Sequence, residues 1–341
     1  MPVLSVSQLH KRFNLEAGFF ARFGRFINAV NGVSFSIGKN EAYGLVGESG
    51  CGKTTTARLL VRMYEADAGE ILYCQGNESV SVGSLQKEDL RRYREKVRYV
   101  FQDPARSLNP RMSVYEVMVS GCRAPLQKRG IGEKELRGKA AAILEEAGLQ
   151  ADDLEKRPSQ FSGGQRQRIS IARGLLMEPE LLICDEVVSA LDVSIQGQIL
   201  NLLLDVREKR DMSFFFIAHD LKVACYFCDR IGVMYKGELM EEAPAAELYR
   251  EALHPYTQLL FSSAAGVSTS KEAHTETHRT FGSQRASADS CSFAPRCPQA
   301  TERCLRERPD FSASGAGHLI RCFNPCAENF AAKCCPKPSI P

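Results

Sequence analysis

The sequence lacks any long apolar run. Nowhere do about 18 consecutive apolar residues occur, the length that a membrane-spanning helix needs. Residues 1–5, Met-Pro-Val-Leu-Ser, lack the positive region and apolar core of an export signal. Charge of one sign is not in excess, since 44 Lys and Arg residues stand against 41 Asp and Glu residues. We therefore expect no membrane span and no export signal, and the charge balance does not indicate a nucleic-acid partner.

Cysteine is abundant and unevenly placed. Seven of the thirteen cysteines lie between Cys291 and Cys335. In a chain without an export signal, this concentration predicts a metal or cluster site more readily than a disulfide framework. With 341 residues, 44% of them apolar and 25% charged, the chain is long enough for two domains and a large core.

One glycine-rich stretch carries the clearest chemistry. Residues 47–54 fit the pattern G-x-x-x-x-G-K-[ST] of a phosphate-binding loop. An apolar strand precedes the loop and a helical segment follows it, which is the setting that this motif requires. Lys53 supplies a charge for the β- and γ-phosphates, and the Thr54 hydroxyl can bind Mg²⁺. The residues expected at the nucleotide are Gly47, Glu48, Ser49, Gly50, Cys51, Gly52, Lys53, Thr54 and Thr55.

Apolar runs alternate with segments of helical periodicity along the chain, which predicts an α/β fold with a parallel sheet. One helix face is formed by Leu136, Ala140, Ile143, Leu144 and Ala147, inside a helical block at 111–160. Residues 14–28 are predicted to be irregular, and 263–289 to be a linker. The expected strands are 3–13, 30–37, 42–46, 69–73, 97–102, 181–184 and 214–218, with a hairpin of 231–235 and 238–240.

Two further groups of polar residues lie next to predicted elements. The first follows a strand, and the second precedes a helix. Asp185 and Glu186 end an apolar strand, so we expect them beside the phosphate loop, where Asp185 can hold Mg²⁺ and Glu186 can orient or deprotonate water. A surface acidic pair is the alternative. The second group, before a helical segment, can form another anion site, although such a stretch often only caps a helix. It consists of Ser162, Gly163, Gly164 and Gln165.

Taken in order, these motifs resemble the ATPase subunit of ABC transporters over about residues 1–262. Residues 47–54 resemble its Walker A loop and 181–186 its Walker B strand. Gln102 resembles the Q-loop glutamine and His219 the switch histidine, while 161–165 resemble the signature and 189–192 the D-loop. Two positions depart from the usual pattern: Phe161 stands where leucine is usual, and Val187 where proline is common.

The resemblance implies a P-loop NTPase domain over 1–262, with an antiparallel β subdomain and an inserted helical subdomain at about 103–162. Residues 263–341 would form a linker and a small cysteine-rich extension. The family works as a head-to-tail dimer, with ATP between Walker A of one subunit and the signature of the other; Asp192 is counted with this site. Mg²⁺ would be held by Thr54, Gln102 and Asp185.

The same resemblance assigns catalytic roles. Glu186 would act on the attacking water, and His219 would contact the γ-phosphate. Gln102 would sense Mg²⁺ and couple to a membrane partner. The acceleration of ATP hydrolysis would come from positioning of the reacting groups and neutralisation of the phosphate charge. For stacking on adenine, Phe13 is the first choice, with Phe20, Phe23 and Phe26 as rivals, although ordinary packing accounts equally well for any one of them.

Three stretches resemble the oligopeptide and dipeptide importers within this family: residues 46–53, 102–111 and 254–257. The long segment between Phe13 and Ala29 resembles their F-type subunit, and nickel importers share much of the pattern. The implied partners are a second ATPase subunit, two transmembrane permease subunits and an extracytoplasmic substrate-binding protein. The implied location is peripheral, on the cytoplasmic face of the inner membrane.

The cysteine tail resembles the C-terminal extension of peptide-importer ATPases, which holds a [4Fe–4S] cluster. The matching residues are Cys291, Cys297, Cys304 and Cys322. Four thiolates suit such a cluster, and gaps of five and six residues are wider than the usual zinc pairs. Zinc and no metal remain as alternatives, and Cys326, Cys334 or Cys335 could substitute as a ligand.

Other functions stay open at this point. The chain could energise a nickel or other small-solute importer, or be a soluble ABC ATPase that acts on DNA or ribosomes. Against the latter, only a short helical block separates Gln102 from Ser162, where DNA-repair relatives carry long insertions. A non-hydrolysing regulatory or metal-binding subunit is a third possibility, which the presence of Glu186 disfavours.

Overall fold

The computed structural model describes residues 2–14, 26–76, 78–189, 191–264, 289–315 and 317–326. Strands in this part of the chain form two sheets, one of four strands and one of eight. The strands are β1 Pro2–Asn14, β2 Phe26–Gly38, β3 Ala42–Val46, β4 Ala68–Gln75, β5 Glu78–Ser81, β6 Val97–Val100, β7 Leu181–Asp185, β8 Ser213–Ala218, β9 Arg230–Tyr235, β10 Glu238–Pro244, β11 Ser312–Gly315 and β12 His318–Ile320.

Helices connect these strands. The α-helices are α1 Lys53–Leu60, α2 Lys87–Lys96, α3 Pro104–Ser107, α4 Val114–Val119, α5 Arg123–Lys128, α6 Glu133–Glu146, α7 Gly163–Leu175, α8 Val193–Arg210, α9 Leu221–Phe227, α10 Ala245–Arg250, α11 Pro255–Ala264 and α12 Glu302–Arg306. Short 3₁₀ turns lie at Val82–Ser84, Ala151–Glu155, Pro158–Gln160 and Ala294–Arg296. None of these helices is long and apolar enough to cross a membrane.

The eight-stranded sheet has the order β11-β12-β10-β9-β3-β8-β7-β6. Strands β9, β3, β8, β7 and β6 run parallel to one another. Every residue of β3, β7 and β8 is buried, because helices or the second sheet cover both faces. This is why these strands are continuous apolar runs in the sequence. The predicted parallel sheet is therefore confirmed.

The four-stranded sheet is antiparallel, in the order β2-β1-β4-β5. The prediction that residues 14–28 are irregular is wrong at both ends, since β1 extends to Asn14 and β2 begins at Phe26. Pairing with β1, in which Asn14 faces Phe26 and Phe13 faces Ile27, gives these residues partners that their composition does not indicate. The predicted linker at 263–289 is wrong at its first two residues, which are the last two of α11. Residues 265–288 lie outside the described residues, as do Phe20 and Phe23.

The helical block predicted at 111–160 consists of α4, α5, α6 and two 3₁₀ turns. In α6, Leu136, Ala140, Ile143 and Leu144 are buried, as their spacing predicts. The helix ends before Gly148, which has φ of +77° and donates its N–H to the Glu145 carbonyl.

The C-terminal extension joins the same sheet as the phosphate-binding strand. β12 pairs antiparallel with β10, where Glu241 faces Ile320 and Glu242 faces Leu319, and β11 pairs with β12. β10 in turn forms the predicted hairpin with β9. The extension is thus built onto the edge of the central sheet.

Candidate nucleotide-binding site

The glycine-rich loop at 47–54 joins β3 to α1 and is held in one shape by its surroundings. Gly52 has φ of +114°, and a Cβ atom there would lie 2.1 Å from the Ala29 carbonyl oxygen. The Cys51 carbonyl accepts a hydrogen bond of 2.8 Å from the N–H of Gly237, in the turn between β9 and β10. Only glycine fits at position 52, and the hairpin fixes the loop against the sheet.

The ammonium group of Lys53 lies inside this loop. Its side chain is almost fully buried. Nζ donates to the carbonyl oxygens of Gly47 at 2.7 Å and Glu48 at 3.0 Å, and lies 3.9 Å from Glu186 Oε1. The charge predicted to meet the phosphates is therefore located within the loop, facing the acidic pair.

Asp185 is the last residue of β7 and has both carboxylate oxygens engaged. Thr54 Oγ1 donates to Oδ1 at 3.0 Å, and Tyr99 Oη donates to Oδ2 at 2.6 Å. Burial and the Asp185 carboxylate raise the pKa of Tyr99, so its hydroxyl remains a donor. Two hard oxygen donors, from Thr54 and Asp185, meet at one point, which is the chemistry that Mg²⁺ prefers. Sequence analysis missed Tyr99.

Glu186 follows with φ of +49°, a conformation that non-glycine residues rarely adopt. Its backbone is held by two bonds: its N–H donates to the Ile217 carbonyl at 3.1 Å, and Ser189 Oγ donates to its carbonyl at 2.9 Å. Gln102 Nε2 donates to Oε2 at 2.6 Å. Gln102 lies two residues beyond β6, not on the strand as predicted. The turn at Glu186 directs its carboxylate towards Lys53 and Gln102.

Other predicted residues lie apart from this group. Ser162 caps α7 with a reciprocal pair of bonds to Gln165, and both side chains are exposed. Asp192, before α8, is exposed too, and so is His219, which follows β8. Within the described residues, no hydrogen bond or ion pair found in the structure joins residues 162–165 to residues 47–54. Their contact with nucleotide therefore stays a prediction.

Phe13, the predicted adenine partner, lies on β1 and is half-buried. Its ring packs edge-on against Tyr64 with centroids 5.3 Å apart, and the Lys11 ammonium lies 5.6 Å from its centroid. The rival Phe26 is 62% exposed. The stacking role remains a prediction for both.

Glu48, inside the loop, makes contacts that the sequence did not indicate. Its N–H donates to Tyr256 Oη at 2.9 Å. Its carboxylate accepts two hydrogen bonds from Arg296, at 2.7 and 2.8 Å. The hydrogen bonds from Arg296 lower the pKa of Glu48, so this pair is charged at neutral pH. Arg296 belongs to the cysteine-rich extension.

Four cysteines of the extension line one cavity, together with His254 and Phe293: Cys291, Cys297, Cys304 and Cys322. A backbone hydrogen bond joins two of them, since the Cys291 N–H donates to the Cys304 carbonyl at 2.9 Å. Burial raises the pKa of Cys297 to about 12 and that of Cys322 to about 11. Among the described residues, no three His, Cys, Asp or Glu side chains are arranged as a metal-ion site.

Cys225 and Cys228, at the end of α9, are packing residues. Burial raises the pKa of both thiols, that of Cys225 to about 12. Cys228 Sγ would lie 2.9 Å from a Cβ added to Gly44 of β3, so it fills space under the sheet.

Sequence profiles of two families match the chain. The family described as ABC transporter matches residues 30–189, and the one described as oligopeptide/dipeptide transporter, C-terminal region, matches residues 240–304. The two matches cover the residues of the nucleotide motifs from Gly47 to Ser189 and three of the four cavity cysteines.

Curated proteins match over almost the whole chain. The oligopeptide transport ATP-binding protein AppF of Bacillus subtilis is 39% identical over 325 residues, 94% of this chain and 96% of that protein. A putative peptide import ATP-binding protein of Brucella ovis is 40% identical over 326 residues, 94% of this chain and 98% of that protein. OppF of Bacillus subtilis is 47% identical over 236 residues, 69% of this chain and 76% of that protein.

Solved structures share the fold. A dimer of the ATP-binding cassette MJ0796 in a post-hydrolysis state, bound to ADP and Pi, aligns with a TM-score of 0.61 and 27% identity, covering 71% of this chain and 98% of that chain. The protein cbiO1 of Clostridium perfringens, part of the ABC transporter complex cbiONQ, aligns with a TM-score of 0.61 and 25% identity, covering 73% of this chain and 90% of that chain.

Proposed function

Since the chain belongs to the ABC transporter family of ATP-binding proteins, in the oligopeptide/dipeptide importer branch, we propose that it hydrolyses ATP to drive peptide uptake through membrane partner subunits. The observation that carries this proposal is the convergence of Lys53, Thr54 and Asp185 with Gln102 and Glu186 at the carboxyl edge of the parallel sheet. This is where nucleotides bind in open α/β sheets.

Binding of the triphosphate begins at the loop. Lys53 donates to two carbonyl oxygens of its own loop in the structure. The phosphate oxygens would replace these weak neutral acceptors with charged ones, which make stronger hydrogen bonds. The amides at the start of α1 then face the phosphates at the positive end of the helix.

Mg²⁺ would be held by Thr54 and Asp185, with Gln102 nearby. When bound, Mg²⁺ would neutralise the charge that develops on the transferred phosphoryl group. Asp185 suits this task because two donors fix its carboxylate. Gln102, bonded to Glu186, would report the state of the site to a membrane partner from the start of the helical subdomain at about 103–162.

Glu186 would serve as general base or orienting group for the attacking water. Its carboxylate is near Lys53 and bonded to Gln102, so its position depends on both residues. His219, from the neighbouring strand β8, would contact the γ-phosphate from the exposed end of that strand. Phe13 would stack on the adenine ring, with Phe26 as a rival.

A second ATPase subunit would complete the site. Ser162, Gly163 and Gln165 are exposed, so they are free to meet nucleotide bound to another subunit. Gly164, which is half-buried, and Asp192, which is exposed, would join them. The further partners would be two transmembrane permease subunits and an extracytoplasmic substrate-binding protein. The complex would place this chain on the cytoplasmic face of the inner membrane.

The four cavity cysteines would hold a [4Fe–4S] cluster. Four sulfur donors around one cavity fit the ligand set of such a cluster. A cluster would supply a brace for the extension or an electron-transfer centre.

The catalytic role is tested with Glu186→Gln. ATP turnover in the assembled complex should fall about 100-fold or more, because a general base is lost, while nucleotide binding is kept. Glu208→Gln, on an exposed position of α8, is the matched control and should leave turnover unchanged. Unchanged turnover in Glu186→Gln would remove Glu186 from catalysis.

The transported solute is tested by co-purifying the membrane complex and screening peptides and nickel on its binding protein. Peptide binding supports the proposal, whereas selective nickel binding would replace it with the nickel-importer alternative. Iron and sulfide analysis with an anaerobic visible spectrum tests the cysteine site. Close to four irons and four sulfides per chain are expected; zinc without sulfide, or no metal, would refute the cluster.

A further inference from the structure

The extension and the phosphate-binding loop meet at one ion pair. Arg296, from the turn between Cys291 and Cys297, binds both carboxylate oxygens of Glu48. These residues are 248 positions apart in sequence, and Glu48 is the second residue of the loop. A two-point contact of this kind fixes orientation as well as distance.

Aromatic rings hold both partners of the ion pair in place. The Arg296 guanidinium lies 5.6 Å from the ring centroid of Tyr235 and 5.9 Å from that of Phe293. Tyr256, which accepts the Glu48 N–H, packs on the same two rings with centroid distances of 4.7 and 5.3 Å. Glu48 is therefore anchored through its backbone and its side chain to one rigid aromatic cluster.

This anchoring affects the rest of the loop. Gly47, Gly50 and Gly52 give the loop backbone freedom, which would be lost on binding a ligand. A loop that is already held in its bound shape loses less entropy, and so binds more tightly. The contacts with Arg296 and Tyr256 use the Glu48 carboxylate and its own N–H, so they engage none of the amides of residues 49–54.

The charge of Arg296 should also strengthen binding of the triphosphate, as the anchoring of the loop does. Glu48 carries a negative charge in the loop that must accept a triphosphate. Without a neighbouring cation, this carboxylate would repel the phosphates. The Arg296 guanidinium neutralises it at hydrogen-bonding distance, and Lys236 adds a weaker contribution.

We propose that Arg296 is a positioning residue of the nucleotide site: the cysteine-rich extension, through Arg296, holds and neutralises Glu48 so that the phosphate-binding loop is ready for ATP. This inference rests on the proposed role of residues 47–54 as the phosphate-binding loop. Arg296 directly precedes Cys297, and Phe293 lines the cysteine cavity, so the same short turn serves both sites.

The test uses the purified full-length chain, titrated with a fluorescent methylanthraniloyl derivative of ATP in the presence of Mg²⁺. The variants are Arg296→Gln, Glu48→Gln and the double variant. Arg306→Gln is the matched control, because Arg306 lies on α12 of the same extension in an exposed pair with Glu302. Lys53→Ala tests whether the loop at 47–54 binds the nucleotide.

Arg296→Gln should raise the dissociation constant for the nucleotide about fivefold. The expected effect is modest because the charged pair that it breaks is partly exposed. The double variant should recover only part of this loss, because removing the unpaired carboxylate removes its repulsion but does not restore the two-point contact. Arg306→Gln should bind like the wild type. In the assembled complex, KM should rise while kcat changes little.

Two results would overturn the inference. One is wild-type affinity in Arg296→Gln while Lys53→Ala loses binding; the other is a double variant as weak as Arg296→Gln with Glu48→Gln unaffected. If Lys53→Ala also binds normally, the proposed role of the loop fails instead. Should Arg296→Gln not fold, Arg296→Lys decides: it keeps the charge but not the two-point contact, and affinity equal to the wild type refutes positioning.

Discussion

The hydrogen bond from Tyr99 to Asp185 offers the sharpest test of how the acidic pair is built. Tyr99→Phe removes one hydroxyl and keeps the ring in its place on β6. Asp185 is only 2% exposed, and Tyr99 Oη approaches its Oδ2 to 2.6 Å. The change leaves a buried carboxylate oxygen without this donor, while Thr54 still donates to Oδ1.

The magnitude follows from the charge of the acceptor. Hydrogen bonds to ionised groups contribute about 1.5 to 3 kcal/mol, and the loss is largest where the acceptor is buried. We expect Tyr99→Phe to lower the free energy of unfolding by about 2 kcal/mol, a few degrees in Tm for a chain of this size. Residues that orient a metal ligand typically change metal affinity at least 10-fold, so the Mg²⁺ concentration for half-maximal ATPase activity should rise about 10-fold.

Thermal unfolding and a Mg²⁺ titration of ATPase activity measure the two effects. Tyr226→Phe is the matched control, since the Tyr226 hydroxyl donates to Asn201 at the surface and the residue is 43% exposed; its Tm should change by less than about 1 °C. If Tyr99→Phe matches Tyr226→Phe in Tm and in Mg²⁺ dependence, Tyr99 does not position Asp185.

Two further predictions concern a buried histidine and the loop glycines. Burial lowers the pKa of His254 to about 4, so its stabilising effect is complete above the unfolded pKa near 6.5 and is lost as the pH falls towards 4. Urea unfolding should therefore show roughly 2 to 3 kcal/mol less stability at pH 4.5 than at pH 7.5 from this group. A His254→Asn variant with an unchanged pH slope would contradict this. In Gly52→Ala, the added Cβ would clash with the Ala29 carbonyl oxygen. This variant should lose about 3 kcal/mol or more of its free energy of unfolding and bind nucleotide poorly. Gly50→Ala, with φ of +79° but open space around it, should lose only about 1 kcal/mol; equal losses in urea unfolding would contradict the clash.

Strands buried on both faces were the most predictable part of the fold. β3, β7 and β8 appear as unbroken apolar runs because helices or the second sheet cover both of their sides. The phosphate loop and the acidic pair were predictable for the same reason: each follows directly from the end of such a strand. Phe26 was not, because its strand depends on pairing with a distant segment, for which its own composition gives no signal.

Contacts that join distant segments could not be predicted from the sequence. Arg296 and Glu48 are far apart in the chain, and neither lies in a pattern that points to the other. Tyr99 occupies an ordinary strand position, and its partner becomes apparent only when β6 and β7 lie side by side. The four cysteines were predicted as a group, but the contact between their segment and the phosphate loop joins residues 248 positions apart.

The pairing of β12 with β10 has a practical consequence for anyone who shortens this protein. Removing the tail would uncover the hydrogen-bonding groups of β10 and leave the buried Glu241 carboxylate without His318, which lies 2.7 Å away. An edge strand with unpaired N–H and C=O groups can pair with strands of other chains and cause aggregation. A fragment cut near residue 262 should therefore aggregate on expression, whereas a fragment that keeps β12 retains this pairing.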